Sequence, residues 1–281
     1  LFRSVFAIAP DDLRPTLGRR LAHLVAANSY RISTGFVGTP IITDALTQTG
    51  QVETARRLLL STQNPSWLYP VTMGATTIWE RWDSMLPDGT INPGEMTSFN
   101  HYALGAVADW LHRRVAGLAP AAPGYAELEI APIPLEGLGS AHARHLTPYG
   151  PAAAGWRRDG DEVTVNAVVP PNTQAHVLLP DGTRHEVGSG EHSWTTAWVA
   201  SAPAPTALSV QSTLDKVIVD EEAHGLLTST VGEDADERIR VMTGWGAGTT
   251  VRDMVESFHL GARLPELVEG FRELNRSRGL A

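Results

Sequence analysis

The sequence predicts a multidomain α and β chain: a partial toroid of helical hairpins, then an antiparallel β-sandwich, then a small helical bundle. Three observations predict it. Apolar residues recur at helical spacing through the first third of the chain. Beyond Ala119-Pro-Ala-Ala-Pro-Gly124 the apolar period drops to two, the signature of half-buried strands. After Ser201-Ala-Pro-Ala-Pro205, a linker by composition, the helical spacing returns. The expected boundaries are therefore 1–118 for the hairpins, 119–200 for the sandwich, and 201–281 for the linker and helical bundle.

Each element has a local reason. Asp11 and Asp12 follow Pro10 and can cap a helix whose apolar positions are Leu13, Leu17, Leu21 and Leu24. Thr39-Pro40 opens a second helix through Leu46 that Gly50 ends, and Val52, Ala55, Leu58 and Leu59 mark a third. Leu104, Val107, Leu111 and Val115 predict a long helix from about Ser98 to Val115. The loops between are rich in Gly, Pro and aromatic residues, as at the open end of a toroid, where a rigid scaffold positions functional groups. In the sandwich, Ala126, Leu128 and Ile130 alternate with polar residues. So do Val163, Val165, Ala167 and Val169, and then Ala175, Val177 and Leu179. Asp159-Gly160, Pro180-Asp-Gly182 and Gly188-Ser-Gly190 supply turns. Four short amphipathic helices are expected at the C-terminus: Thr213–Val219, Glu221–Thr228, Thr250–Phe258 and Leu264–Arg276.

Composition narrows the function. The 281 residues are 42% hydrophobic and 19% charged, ample for a packed core. A net charge of −9 argues against nucleic acid and against an anionic membrane surface as partners. There is no cysteine, which excludes disulfides and thiolate metal sites. No apolar run reaches the length of a membrane span. The sequence opens on Leu1-Phe-Arg-Ser rather than Met and reads as a piece of a longer or processed protein. Compartment and oligomeric state stay open. Lys216 is the only lysine beside many arginines, a bias of base composition rather than function.

The chemistry concentrates in Gly74-Ala-Thr-Thr-Ile-Trp-Glu-Arg-Trp-Asp83 and Ser98-Phe-Asn-His-Tyr102. Glu80 stands between two indoles, Trp79 and Trp82, with His101 downstream. Aromatic faces beside one carboxylate suit a sugar ring, with its apolar C–H faces and hydroxyl rim. Such a carboxylate can act as general acid or base at an anomeric carbon. Equally, the segment can be a buried helix start with two core tryptophans and a satisfied Glu. Phe36, Trp67 and Tyr69 can wall a pocket or anchor loops. Asp83 can tune Glu80 or position a water, Arg81 suits a structural ion pair, and Glu95 suits a solvated loop. No metal pattern and no cofactor motif is present: HExxH is absent, and His142 and His145 lack carboxylates at useful spacing. Ser66 and Ser98 lack a nucleophile-elbow context. Gly244-Trp-Gly-Ala-Gly-Thr-Thr250 resembles a phosphate loop only loosely and reads as a connector.

Four motifs, in order and spacing, resemble the C-terminal half of the catalytic barrel of bacterial α-L-rhamnosidases. They are Thr34-Gly-Phe-Val-Gly-Thr-Pro40, Pro65-Ser-Trp-Leu-Tyr69, the Gly74–Asp83 segment and Ser98-Phe-Asn-His-Tyr-Ala103. Thr147-Pro-Tyr-Gly150, Trp156 and Val169-Pro-Pro-Asn-Thr173 resemble that family's C-terminal β-sandwich. The resemblance covers roughly residues 5–195. It implies an (α/α)6 barrel with accessory β-domains, here a partial barrel, and inverting hydrolysis of terminal α-L-rhamnosyl bonds in rhamnose-containing glycosides or polysaccharides. It implies that Glu80 is the general base, that His101 contacts the rhamnose, and that Trp79 and Trp82 line the site. The family's general acid lies in an Asp/Glu-rich motif well upstream, and no carboxylate here matches it. The chain is thus expected to hold the base without the acid, and to be unstable or inactive by itself. Leu214–Leu274 resembles a helical module appended to some bacterial glycosidases, its role open between docking and oligomerisation. Two other readings remain: another (α/α)6 glycosidase or phosphorylase, or a non-catalytic sugar-binding or scaffold protein.

Overall fold

The computed structural model describes residues 5, 8–198, 205–232, 234–244 and 248–280. The expected linker Ser201–Pro205 (Pro205 excepted) and the Trp245–Ala247 part of the glycine-rich connector lie outside the described residues. Described helices, in chain order, are α1 (Arg14–Ala27), α2 (Thr39–Gln48), α3 (Val52–Leu60), α4 (Leu68–Thr72), α5 (Val107–Trp110), α6 (Leu214–Val219), α7 (Glu221–Val231), α8 (Ala235–Gly244), α9 (Val251–Ser257) and α10 (Leu264–Ser277). The chain forms two compact units, one of Leu1–His101 with Ala202–Ala281, the other of Tyr102–Ser201.

In the first unit, α1 starts with Pro15 in its first turn, where a missing N–H costs nothing. Neither Asp11 nor Asp12 caps it; Asp11 instead accepts a bond from Arg14 at 3.3 Å. The face it buries also differs from the expectation. Gly18, Ala22, Val25 and Ala26 are buried, whereas Leu13, Leu17 and Leu24 stay 49%, 37% and 50% exposed. The reason is close approach: a Cβ on Gly18 would lie 2.3 Å from the Thr49 side chain just past α2. Small residues let the backbones meet, and the leucine stripe is turned outward. The buried centre of these hairpins is Ile42, Ala45, Leu46, Ala55 and Leu58.

The C-terminal helices pack on one another, as a small bundle does, and also on α1, so that they share one compact unit with the hairpins. Arg57, on α3, is 9% exposed, and its guanidinium lies 3.6 Å over the Tyr30 ring. It donates to Tyr30 Oη (2.7 Å) and to the Val219 carbonyl (3.0 Å), while Tyr30 Oη donates to the Ile218 carbonyl (3.1 Å). A buried cation needs such partners, and here the C-terminal end of α6 supplies carbonyls that a helix leaves free. Arg56 bridges Glu53 and Glu221, each at 2.6 Å. Asp236 of α8 accepts from Ser29 and Arg31. Asp220 caps α7 by accepting from the Ala223 N–H (3.0 Å) and is gripped by Arg278 at 2.7 and 2.8 Å. Helix α8, which the sequence reading passes over, buries Ile239 and Met242 in the same core as Leu227, Met254 and Phe271.

The second unit opens with a 3-10 turn (Ala103–Ala106), α5, and a π turn (Leu111–Val115). The expected helix from Ser98 therefore starts later, because the backbone of Ser98 and His101 pairs with the loop of Ile78 and Glu80. Two four-stranded sheets follow. One has the order β1-β2-β6-β7 (Leu118–Pro120, Glu127–Ile130, Gln174–Leu178, Arg184–Val187), the other β3-β4-β5-β8 (Ser140–Thr147, Gly150–Asp159, Glu162–Val169, Gly190–Ala197). All described pairs are antiparallel except β2 with β6, which run parallel with Leu128 opposite Ala175. Leu128, Ile130, Val163, Val165, Ala175 and Val177 fill the interior, as their alternation predicts. Buried Trp156 donates its indole N–H to the Val115 carbonyl at 2.7 Å.

Two outcomes follow. Leu58→Ala, at a fully buried site, is expected to cost about 2–5 kcal/mol, whereas Leu24→Gln on the outward stripe should change stability by less than about 0.5 kcal/mol; urea unfolding of both variants checks this. His224 of α7 is 9% exposed, and burial holds its pKa down to about 4, with the Arg57 charge adding to the effect. The unfolded state then binds the extra proton first. Its contribution is complete above about pH 6.5 and is lost as pH falls toward 4, amounting to about 3 kcal/mol at most. Thermal unfolding across that window should show a shallower loss for His224→Asn than for the parent chain.

Candidate active site

Between α4 and residue 102 the chain makes no helix, and this stretch carries the motifs. Two backbone hydrogen bonds align its halves: the Glu80 N–H donates to the Ser98 carbonyl (2.9 Å), and the His101 N–H to the Ile78 carbonyl (2.8 Å). Ser98 returns the contact, its N–H donating to Glu80 Oε2 at 3.2 Å. Thr77 Oγ1 donates to the Phe99 carbonyl. Glu80 thus lies in a paired loop, not at a helix start, with one carboxylate oxygen held by a backbone N–H and the side chain half-buried.

The aromatic residues divide by exposure. Trp79 is 4% exposed and packs edge-on to Phe99, ring centres 5.1 Å apart. Trp67 and Tyr69 are also buried; Trp67 meets Trp82 edge-on at 6.0 Å, and Tyr69 Oη donates to the Met85 carbonyl at 2.8 Å. The Ser66 hydroxyl accepts the Tyr69 N–H at 3.0 Å, which sets the start of α4. Loss of hydration raises the pKa of the Tyr69 phenol, and the Asp83 charge adds to the effect. Trp82 and His101 are half-buried and Phe36 is exposed, its ring stacked on His101 at 5.1 Å and 15°. The accessible ring surface among these aromatic residues is therefore carried mainly by Phe36, Trp82 and His101, while Trp79, Trp67 and Tyr69 are buried.

Asp83 is engaged elsewhere. Arg81 Nε donates to it at 2.6 Å and Asn92 Nδ2 at 3.0 Å, so it anchors the turn that returns through the Met85–Ile91 bridge. Arg81 makes the ion pair its neighbours suggest, and Glu95 is exposed. Phe99 and Asn92 are site-building residues that the sequence reading does not single out; the Ser-Phe-Asn-His spacing places Phe99 next to the motif but carries no signal of its partner. Among the described residues no cluster of three or more His, Asp or Glu could hold a metal ion, and no described helix is long and apolar enough to cross a membrane.

Comparison with known proteins gives this geometry a family. Residues 4–115 match the model of the bacterial alpha-L-rhamnosidase 6 hairpin glycosidase domain, and residues 117–193 that of the bacterial alpha-L-rhamnosidase C-terminal domain. An alpha-L-rhamnosidase of Streptomyces avermitilis is 40% identical over 207 residues, covering 67% of this chain and 20% of that protein. One of Formosa agariphila is 38% identical over 180 residues, 64% of this chain and 19% of that protein. Among solved structures, the S. avermitilis alpha-L-rhamnosidase complexed with L-rhamnose aligns with a TM-score of 0.66 at 39% identity, covering 69% of this chain and 21% of that one. The native enzyme of Aspergillus terreus aligns at 0.64 and 44% identity, over 66% and 22%. The chain spans about a fifth of the length of the curated relatives it matches. Through its hairpin domain and its β-sheet domain alike, the chain belongs to the bacterial α-L-rhamnosidase family.

Proposed function

We propose that this chain supplies the base-bearing part of an enzyme that hydrolyses terminal non-reducing α-L-rhamnosyl residues with inversion. The observation that carries the reading is Glu80: a half-buried carboxylate, one oxygen fixed by the Ser98 N–H, in a loop whose Ile78 carbonyl accepts from the His101 N–H, with His101 stacked on Phe36. The relatives named above are alpha-L-rhamnosidases, and the complex of one with L-rhamnose makes rhamnose the natural ligand to assign here. In the proposed reaction a water on the face of the sugar opposite the leaving group loses its proton to Glu80 as it attacks the anomeric carbon. His101, oriented by Phe36, hydrogen-bonds a ring hydroxyl, and Trp82 offers an apolar face to the C–H surface of the sugar. The leaving oxygen needs a proton from a second carboxyl group, about 6.5–9.5 Å from the first in inverting enzymes. Asp83 is committed to Arg81 and Asn92. We assign the acid to a carboxyl group outside this sequence.

Rhamnose release from an aryl α-L-rhamnoside tests this, measured on this chain and on the longest protein of its uninterrupted reading frame. Activity is expected only in the longer protein. There, Glu80→Gln should lower kcat by about 10²–10⁴-fold, the scale of general-base catalysis, and His101→Ala should act mainly through KM. Turnover by this chain alone would overturn the assignment of the acid elsewhere, and full activity of the Gln variant would overturn the base.

A further inference from the structure

The outer face of the β3-β4-β5-β8 sheet carries a groove of about 490 Å³ that the rhamnosidase reading does not use. Strand register sets out its plan. One row across the sheet reads His142, Gly155, Asn166, Ser193; the next reads Arg144, Ala153, Val168, Glu191; Arg157 lies one row to the other side, opposite Ser140 and Thr164. Gly155 sits at the centre. A Cβ there would come within 2.6 Å of the His142 Cβ, and glycine inside a strand commonly marks a place where a ligand approaches the backbone. Ala153, Gly155 and Val168 make the floor, and polar side chains make the rim.

The polar side chains of the rim have no partners of their own. Among the described residues, His142, Arg144, Arg157, Asn166, Glu191 and Ser193 make no side-chain hydrogen bond or ion pair. Neighbouring polar groups on the same sheet do: Thr164 and Thr195 bond each other at 3.0 Å, and Arg158 lies 4.5 Å over the Trp198 ring. Two guanidinium groups against one carboxylate give the groove positive charge on a chain whose net charge is −9. Guanidinium pairs with carboxylate in a two-pronged fork, and Asn, Ser and His suit hydroxyls. Positions 153 and 157 on β4 are about 13 Å apart at ~3.3 Å per residue, a span for more than one sugar ring.

We propose that this groove binds an acidic oligosaccharide, a uronate carboxylate on Arg144 or Arg157 and the sugar hydroxyls on His142, Asn166 and Ser193. The saccharide class rests on the glycosidase reading of the first unit. The test is titration calorimetry at low salt, with this chain carrying Glu80→Gln so that no turnover intervenes. The probes are the trimers of galacturonate, glucuronate and mannuronate, their methyl esters, and tricarballylate as a carboxylate without sugar. At least one acidic trimer is expected to bind, at least tenfold tighter than its methyl ester and than tricarballylate, and undisturbed by excess L-rhamnose. Arg144→Gln with Arg157→Gln should weaken it at least tenfold with an unchanged melting temperature, and Asn166→Ala should weaken it without altering the salt dependence. No trimer binding below 10 mM overturns the site, as does binding the arginine changes leave intact. Equal binding of the methyl ester or of tricarballylate overturns the ligand class. Because nothing is hydrolysed in this assay, its failure leaves the role of Glu80 standing, and an inactive Glu80 would leave groove binding as measured.

Discussion

The Glu80 N–H to the Ser98 carbonyl and the His101 N–H to the Ile78 carbonyl are the bonds on which the candidate site depends. Without them, two loops eighteen or more residues apart in sequence would have no fixed relation, and neither the carboxylate nor the imidazole would have a position. With them, one end of the Glu80 side chain is tied to Ser98 and His101 is presented to Phe36. The pairing also has a cost in regular structure: it engages the Ser98 carbonyl, which a helix from Ser98 would use, and the following helical stretch begins only at Ala103. Irregular backbone held by its own hydrogen bonds, over buried Trp79, Trp67 and Tyr69, is how a loop becomes rigid enough to place a catalytic group within the tolerance that catalysis requires.

Beneath those loops the hairpins are joined to the C-terminal helices through Arg57. A guanidinium that is 9% exposed can persist only where its charge is answered. Tyr30 answers it with a ring face and a hydroxyl, and α6 with the carbonyls at its end. The ion pairs around this centre, Arg56 with Glu221 and Arg31 with Asp236, are more exposed and fix register more than they add stability. Residues 205–280, which neither family model covers, are by packing a part of the first unit. Meanwhile the outward leucines of α1 remain an apolar stripe, a surface of the kind that interfaces use.

Much of this was legible in the sequence. Period-two burial at Val163–Val169 and Ala175–Leu179 reads directly as strands with one face in the core, and the turns at Gly160 and Gly182 take the positive φ that glycine allows. The Trp-Glu-Arg-Trp and Asn-His-Tyr motifs mark the loops that the structure joins. Other features depend on partners the local pattern does not contain. The leucines of α1 look like a core face, yet close approach at Gly18 gives that face to glycine and alanine. Strand β4 is rich in alanine and glycine, poor strand formers, and is a strand because β3 and β5 flank it. Trp79 reads as a sugar platform by its residue type, and neither its edge-on contact with Phe99 nor its burial is contained in that local pattern.

The direct test of the central claim is product analysis with a replacement nucleophile. In the longest protein of this reading frame, Glu80→Ala removes the proposed base, and azide needs no base to attack. The account predicts that an activated aryl α-L-rhamnoside plus azide yields β-L-rhamnosyl azide, with little product when azide is omitted. An α-configured azide would instead mean that a covalent glycosyl-enzyme intermediate forms on another residue and that hydrolysis retains configuration, and the absence of any rescue alongside an intact fold would contradict the assignment of Glu80 as the base.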